Sequence, residues 1–117
     1  MGLPRRFLAG LRHKEIFVPV KVLLTWDISP EKDQEYFEFV IGEFVPGVQR
    51  LGLQPIEAWA TIYGHYPQIQ VGLLADNAQR AENVLNSPEW VQLQQQLFGY
   101  VSNFSYKVVP ARGGFQF

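Results

Sequence analysis

Three groups of residues in this chain have side chains suited to chemistry. Glu57 with Lys21 or Lys107 can serve as an acid and base set if burial and opposite charge shift their pKa values. The plainer alternative is a structural ion pair. Trp59 and Tyr63 offer flat faces on which a planar substrate can stack, or they simply fill space between layers. The two histidines are His13 and His65. One imidazole suffices as an axial haem ligand, but the plainer reading of His65 is a turn histidine facing solvent.

Other chemistries are excluded or poorly supported. With no cysteine there is no disulfide framework, no thiolate catalysis and no Cys-ligated zinc or iron–sulfur site. Neither His-x-x-x-His nor Glu-x-x-His spacing occurs, so no metal site and no cofactor are expected. Gly113 and Gly114 are not followed by a helix pattern, which leaves a phosphate cradle without its usual support. A serine nucleophile would lack its elbow and its ordered base.

A chain of 117 residues has room for one domain, and 47% hydrophobic content is too high for a disordered one. Its net charge of −1 hides an asymmetry. Arg5, Arg6, Arg12 and Lys14 give the first fourteen residues four positive charges and no acids, while the rest carries six Lys/Arg against eleven Asp/Glu. So acidic a body repels phosphate backbones, and nucleic acid is not an expected partner. The apolar residues of the basic stretch, Phe7, Leu8 and Leu11, make no run long enough for a signal peptide or a membrane span. Arg6 stands where a myristoylation signal wants Ser or Thr. The expectation is a solvated basic arm over residues 1–15, a domain over 16–110, a short tail over 111–117, no membrane partner, and a reducing, cytoplasmic setting.

The elements that must position these residues follow from periodicity. Val18 to Trp26 alternates at period two and predicts a strand. Ser29 as a cap and Pro30 at the first helical position predict a helix start. Phe37, Val40, Ile41, Phe44, Val48 and Leu51 predict its buried stripe, with Glu31, Glu35, Glu38 and Glu43 largely outside. Pro46 should kink or end this helix and Gly52 should stop it. Two alternating runs, Ile56–Tyr63 and Ile69–Leu74, flank a Gly64-His65-Tyr66-Pro67 turn and predict a hairpin. Asp76 and Gln79 predict a capping box. Ser87-Pro88-Glu89 starts a further helix with a Trp90, Leu93, Leu97, Val101 stripe, and Phe104–Pro110 predicts a last strand.

This strand–helix–strand–strand–helix–strand order is the ferredoxin-like arrangement, an α+β fold with both helices on one face of a four-stranded antiparallel sheet. Val20, Val22, Leu24, Ala58, Ala60, Val71 and Leu73 suit close packing under the helices. The other face then carries Lys21, Thr25, Glu57, Trp59, Thr61, Tyr63 and Gln70, together with Leu23, Leu74, Lys107 and Val109. It is too aromatic for plain surface and too polar for a dry core. An RNA-recognition module shares the strand order. It needs basic residues and aromatics on its third strand, and Gln68 to Leu74 has none.

The stretch Ser87-Pro88-Glu89-Trp90 through Tyr100-Val101 into Phe104–Val109 resembles the dimeric α/β-barrel superfamily, and the likeness of order and length extends over about residues 16–110. The resemblance implies a homodimer in which two sheets face one another and close a barrel. It also implies one of several functions: cofactor-free monooxygenases acting on aromatic polyketides, haem-degrading or haem-binding proteins, small isomerases, and proteins without known activity. The expected function is an enzyme of the monooxygenase or isomerase type acting on a small aromatic or polyketide-like molecule. Its alternative is a non-enzymatic ligand-binding or regulatory dimer. Candidate catalytic residues are Glu57, Tyr63 and His65; candidate ligand-binding residues are Lys21, Thr25, Trp59, Thr61 and Gln70.

Overall fold

In the computed structural model, residues 18–61 and 68–111 are described. The basic arm, the tip of the hairpin with Tyr63 and His65, and most of the tail lie outside them. The order is β1 (Val20–Ile28), α1 (Asp33–Phe39), a π-helical turn (Val40–Phe44), α2 (Val45–Arg50), β2 (Gln54–Ala60), β3 (Ile69–Ala75), α3 (Ala78–Leu85), α4 (Pro88–Leu97) and β4 (Val101–Pro110). The strands form one sheet in the order β2-β3-β1-β4, every pair antiparallel. It is the ferredoxin-like topology, with the helices on one face.

Alternation in β1 decides the layers. Val22, Leu24 and Trp26 are fully buried under the helices, whereas Lys21, Leu23 and Thr25 are only half-buried on the other face. Tyr36, Phe39, Phe44 and Val48 come down from the first helical segment, and Trp90 and Leu97 from α4. Trp26 is the centre of this core. Its ring meets Tyr36 and Phe44 edge-on, at centroid distances of 6.4 and 5.9 Å. Its indole N–H donates to the Tyr36 hydroxyl at 2.9 Å, the partner a buried indole requires. Burial pushes the Tyr36 hydroxyl above its usual pKa, against the opposing pull of that N–H. Tyr36→Phe is therefore expected to leave a buried donor unsatisfied and cost about 1–3 kcal/mol. Denaturant midpoints check this, and a change below a few tenths would show that the bond is not needed.

The helical stripe differs from the one the spacing predicts. Phe37 and Ile41 are 52% and 70% exposed, and Tyr36 and Phe39 take the buried places instead. The π turn is the reason. Val45 N–H bonds to the carbonyl of Val40, five residues back, so the face rotates and a strict 3.6-residue count fails across it. The same wider turn accommodates Pro46. It sits in the first turn of α2, where a missing N–H costs nothing, and the helical path continues instead of ending. Gly52 does stop it, at φ 96°, with Leu53 N–H reaching back to Val48 O at 3.0 Å and Gly52 N–H to Gln49 O at 3.0 Å.

Two caps move. Ser29 does not cap a helix: Ser29-Pro30-Glu31 forms a turn, with Glu31 at φ 65°, and the helix starts at Asp33 without a side-chain cap. Asn77 rather than Asp76 caps α3, accepting from Arg80 N–H at 2.8 Å. Ser87 caps α4 with Pro88 in the first turn, as its sequence predicts. Ala58 and Ala60 lie on the helix side of β2 but are exposed, because they border an open groove beside the first helical segment.

Candidate functional site

The sheet face turned away from the helices carries the expected polar set. Register places Lys21 across from Leu74 and Val109, Leu23 across from Gly72 and Lys107, and Thr25 across from Gln70 and Ser105. On β2, Glu57 pairs with Gly72 and Trp59 with Gln70. Lys21, Thr25, Glu57, Trp59 and Gln70 therefore share one face, as alternation predicts. Thr61 lies just past β2, exposed, with its N–H on the carbonyl of Gln68 at 2.7 Å. Tyr63 and His65 lie outside the described residues.

At the centre of this face Lys21 Nζ stands 3.2 Å from Glu57 Oε2 and 3.4 Å from Oε1. Lys107 is exposed on β4, so of the two lysines it is Lys21 that pairs with Glu57. The two residues sit on strands that are not neighbours, with β3 between them. Glu57 crosses that strand over Gly72, where a Cβ would lie 2.7 Å from Glu57 Cγ and 3.0 Å from its Cδ. A side chain at position 72 would block the crossing. An isolated glycine inside a strand pattern signals such a close approach, and Gly72 is the residue that sequence reasoning left out of the site.

Half-buried Leu23, Leu74 and Val109 surround the pair, and Trp59 projects at the β2 edge with 63% of its surface exposed. Thr25 Oγ1 and Ser105 Oγ are 3.4 Å apart. The set offers one anion, one cation, hydroxyls, an amide and a flat ring around apolar ground. These groups suit contacts both with polar atoms and with a flat apolar surface. Among the described residues no group of three or more His, Asp or Glu could hold a metal ion.

A second polar cluster fixes the rim. Asp27 accepts from Gln68 N–H at 2.9 Å and from Asn103 Nδ2 at 2.8 Å, while Gln68 Oε1 accepts from Ile28 N–H at 2.7 Å. Asn103, at φ 56°, and a register shift between Thr25 and Asp27 mark a bulge that aims it there. The hydrogen bonds from Asn103 and then Gln68 hold the Asp27 carboxyl below its usual pKa of 3.8, against a smaller opposing effect of burial. A depressed carboxyl stabilises the fold above its unfolded pKa, and that gain is lost as pH falls through the folded value. Stability should thus fall as acid protonates Asp27, below about pH 4. In Asp27→Asn this part of the acid slope should be missing, a difference of up to about 1 kcal/mol for so exposed a group. Thermal melts at pH 3 and pH 6 measure it, and an unchanged slope would remove Asp27 from the account.

No family model matches the sequence, and no curated protein matches it significantly. Solved structures do. An uncharacterized NIPSNAP domain protein from Burkholderia xenovorans matches at TM-score 0.59 and 16% identity, over 79% of this chain and 94% of that one. A dimeric protein of unknown function and ferredoxin-like fold from Bacteroides fragilis matches at TM-score 0.55 and 16% identity, over 79% and 95%. A provisionally assigned antibiotic biosynthesis monooxygenase from Nitrosomonas europaea matches at TM-score 0.59 and 5% identity, over 80% and 90%. At 5% to 16% identity the likeness is one of fold, and the chain has the ferredoxin-like α+β fold of these proteins.

Proposed function

We propose that the chain forms a homodimer that holds a small organic molecule against the open sheet face, beside the Lys21–Glu57 pair. The single observation that carries this reading is that half-buried pair, built across a strand on a face that no helix of the described residues covers. A face needing only stability would use aliphatic residues, as the covered face does. Burying hydroxyls, an amide and two charges costs several kcal/mol unless each finds a partner. Leu23, Leu74, Val109 and Trp59 supply the apolar area that a second copy would cover. The Bacteroides fragilis neighbour is itself described as dimeric, which supports the assembly by analogy.

In this site Trp59 stacks on the planar part of the ligand, and Thr25, Thr61 and Gln70 hydrogen-bond its polar atoms. Glu57, positioned by its contact with Lys21, takes or returns a proton, with Tyr63 and His65 as further catalytic groups. The chemistry fits a cofactor-free monooxygenase or isomerase acting on an aromatic or polyketide-like compound. The provisional assignment of the Nitrosomonas europaea neighbour supports it to the extent of fold. A dimer that binds without transforming its ligand uses the same contacts, and product formation separates the two.

Light scattering at micromolar concentration should give twice 13.4 kDa, and native mass spectrometry should find a co-purified organic molecule. Glu57→Gln should reduce its occupancy at least tenfold while costing no more than about 1 kcal/mol of stability, since the pair is partly solvated. A monomer, or unchanged occupancy in the variant, would overturn the proposal.

A further inference from the structure

The helix side of the sheet has an opening of its own. A groove of about 550 Å³ lies between β2 and the first helical segment. Phe37, Val40 and Ile41 line one wall and Pro55 and Ala58 the other, and Trp26 and Tyr36 line it as well. Phe37 and Ile41 are both more than half exposed. Charge is nearly absent. Among the described residues that line the groove only Glu57 is charged, and it is already paired with Lys21.

Tyr36 gives this apolar groove one polar demand. Only 3% of the residue is exposed. A phenol hydroxyl can both accept and donate a hydrogen bond. Here its oxygen accepts from the Trp26 indole N–H at 2.9 Å, while its own hydrogen has no acceptor among the described residues. Burial raises its pKa, so the hydroxyl stays protonated and remains a donor. Accepting from the indole also polarises the O–H bond, which strengthens it as a donor. A buried donor left without a partner costs free energy, and a bound acceptor recovers it.

We propose that the groove binds a neutral, largely apolar organic molecule through one acceptor oxygen, a ketone or quinone carbonyl seated on the Tyr36 hydroxyl. An anion finds no cation among the described lining residues, and a cation finds only an acid that is already paired. Neutrality follows, because burying an unpaired charge costs far more than one hydrogen bond returns. The size is right for such a molecule: small-molecule sites are clefts of this order, mostly apolar, with a few placed polar groups. Phe37 stands edge-on to Tyr36, with ring centroids 5.0 Å apart, so an aromatic surface flanks the carbonyl and suits a flat ligand. The Lys21–Glu57 pair bridges the opposite sheet face, and the two binding sites stand or fall separately.

Fluorenone and fluorene are the probes, flat molecules of nearly equal size of which only the first has a carbonyl. Titrated into the full chain, fluorenone should shift the methyl NMR signals of Ile41 and Val45 and leave Leu23, on the open face, in place. The carbonyl stretching band of bound fluorenone should lie at lower frequency than in dry hydrocarbon, which reports the hydrogen bond without any substitution. Ala58→Phe, at an exposed position that the fold tolerates, should fill the groove and weaken binding about tenfold. Tyr36→Phe should lower the affinity ratio of fluorenone to fluorene about fivefold. If that variant does not fold, the carbonyl band and Ala58→Phe decide. No binding, or binding with an unshifted carbonyl band, would overturn the proposal. A shift at Leu23 in place of Ile41 would put the probe on the open face and overturn it while leaving the homodimer site standing. Ile41 signals that move with protein concentration in the absence of probe would assign the groove to a second copy, and overturn it too.

Discussion

Trp90→Ala should lower the free energy of unfolding by about 3–5 kcal/mol, the range for removing a large buried aromatic. Trp90 opens α4 one turn after the Ser87 cap, with its N–H on Ser87 Oγ at 3.2 Å. Its ring lies 6.1 Å from Phe44, which in turn packs against Trp26. The deletion thus opens a cavity under the π turn, in the contact that ties α4 to the first helical segment. Rigid helix and sheet walls cannot close around such a void, and the loss exceeds the transfer term alone. Val91→Ala, on the same helix, is the control. With 42% of its surface exposed, Val91 should change stability by no more than about 0.5 kcal/mol. Urea midpoints for the two variants decide the matter. Equal effects would mean that the core is not centred where the structure puts it.

Gly72→Val should break the Lys21–Glu57 pair without touching either partner. A valine Cβ would meet Glu57 Cγ at 2.7 Å, and the clash cannot be relieved by the backbone of a strand paired on both sides. Glu57 would have to turn away from β1. Overpacking of this kind costs about 1–3 kcal/mol, and the gain from a β-branched residue in a strand offsets only part of it. The decisive readout is coupling. A double-mutant cycle of Lys21→Met and Glu57→Gln should give a measurable interaction energy in the native background and none in the Gly72→Val background. Equal coupling in both would show that Glu57 reaches Lys21 by another path. Ligand occupancy should fall with the coupling if the proposed site is right.

These effects mark where the sequence was legible. Val20, Val22, Leu24 and Trp26 alternate with Lys21, Leu23 and Thr25, and a period of two has a unique structural meaning in a half-buried strand. The α+β order, the four strands and the shared face of Lys21, Glu57, Trp59 and Gln70 were therefore open to reading. Ser87 and Pro88 were legible for a similar reason, since a cap is a contact between residues three apart. The stripe of the first helical segment was not. Five residues of π turn changed its phase, and a period argument assumes that the phase is kept.

What sequence alone determined is local and periodic: the element order, the layer to which each strand residue belongs, and the basic character of the N-terminal residues against an acidic body. What only the tertiary structure decided depends on distances between strands remote in sequence. That Lys21 rather than Lys107 pairs with Glu57, 36 residues away, follows from the order β2-β3-β1 and from the missing side chain at Gly72. That Asp27 gathers Gln68 and Asn103 follows from a bulge set between two strands. Alternation fixes the face a side chain points to. Which neighbour it meets there is set by strand order and register, and these are settled by the packing of the whole sheet.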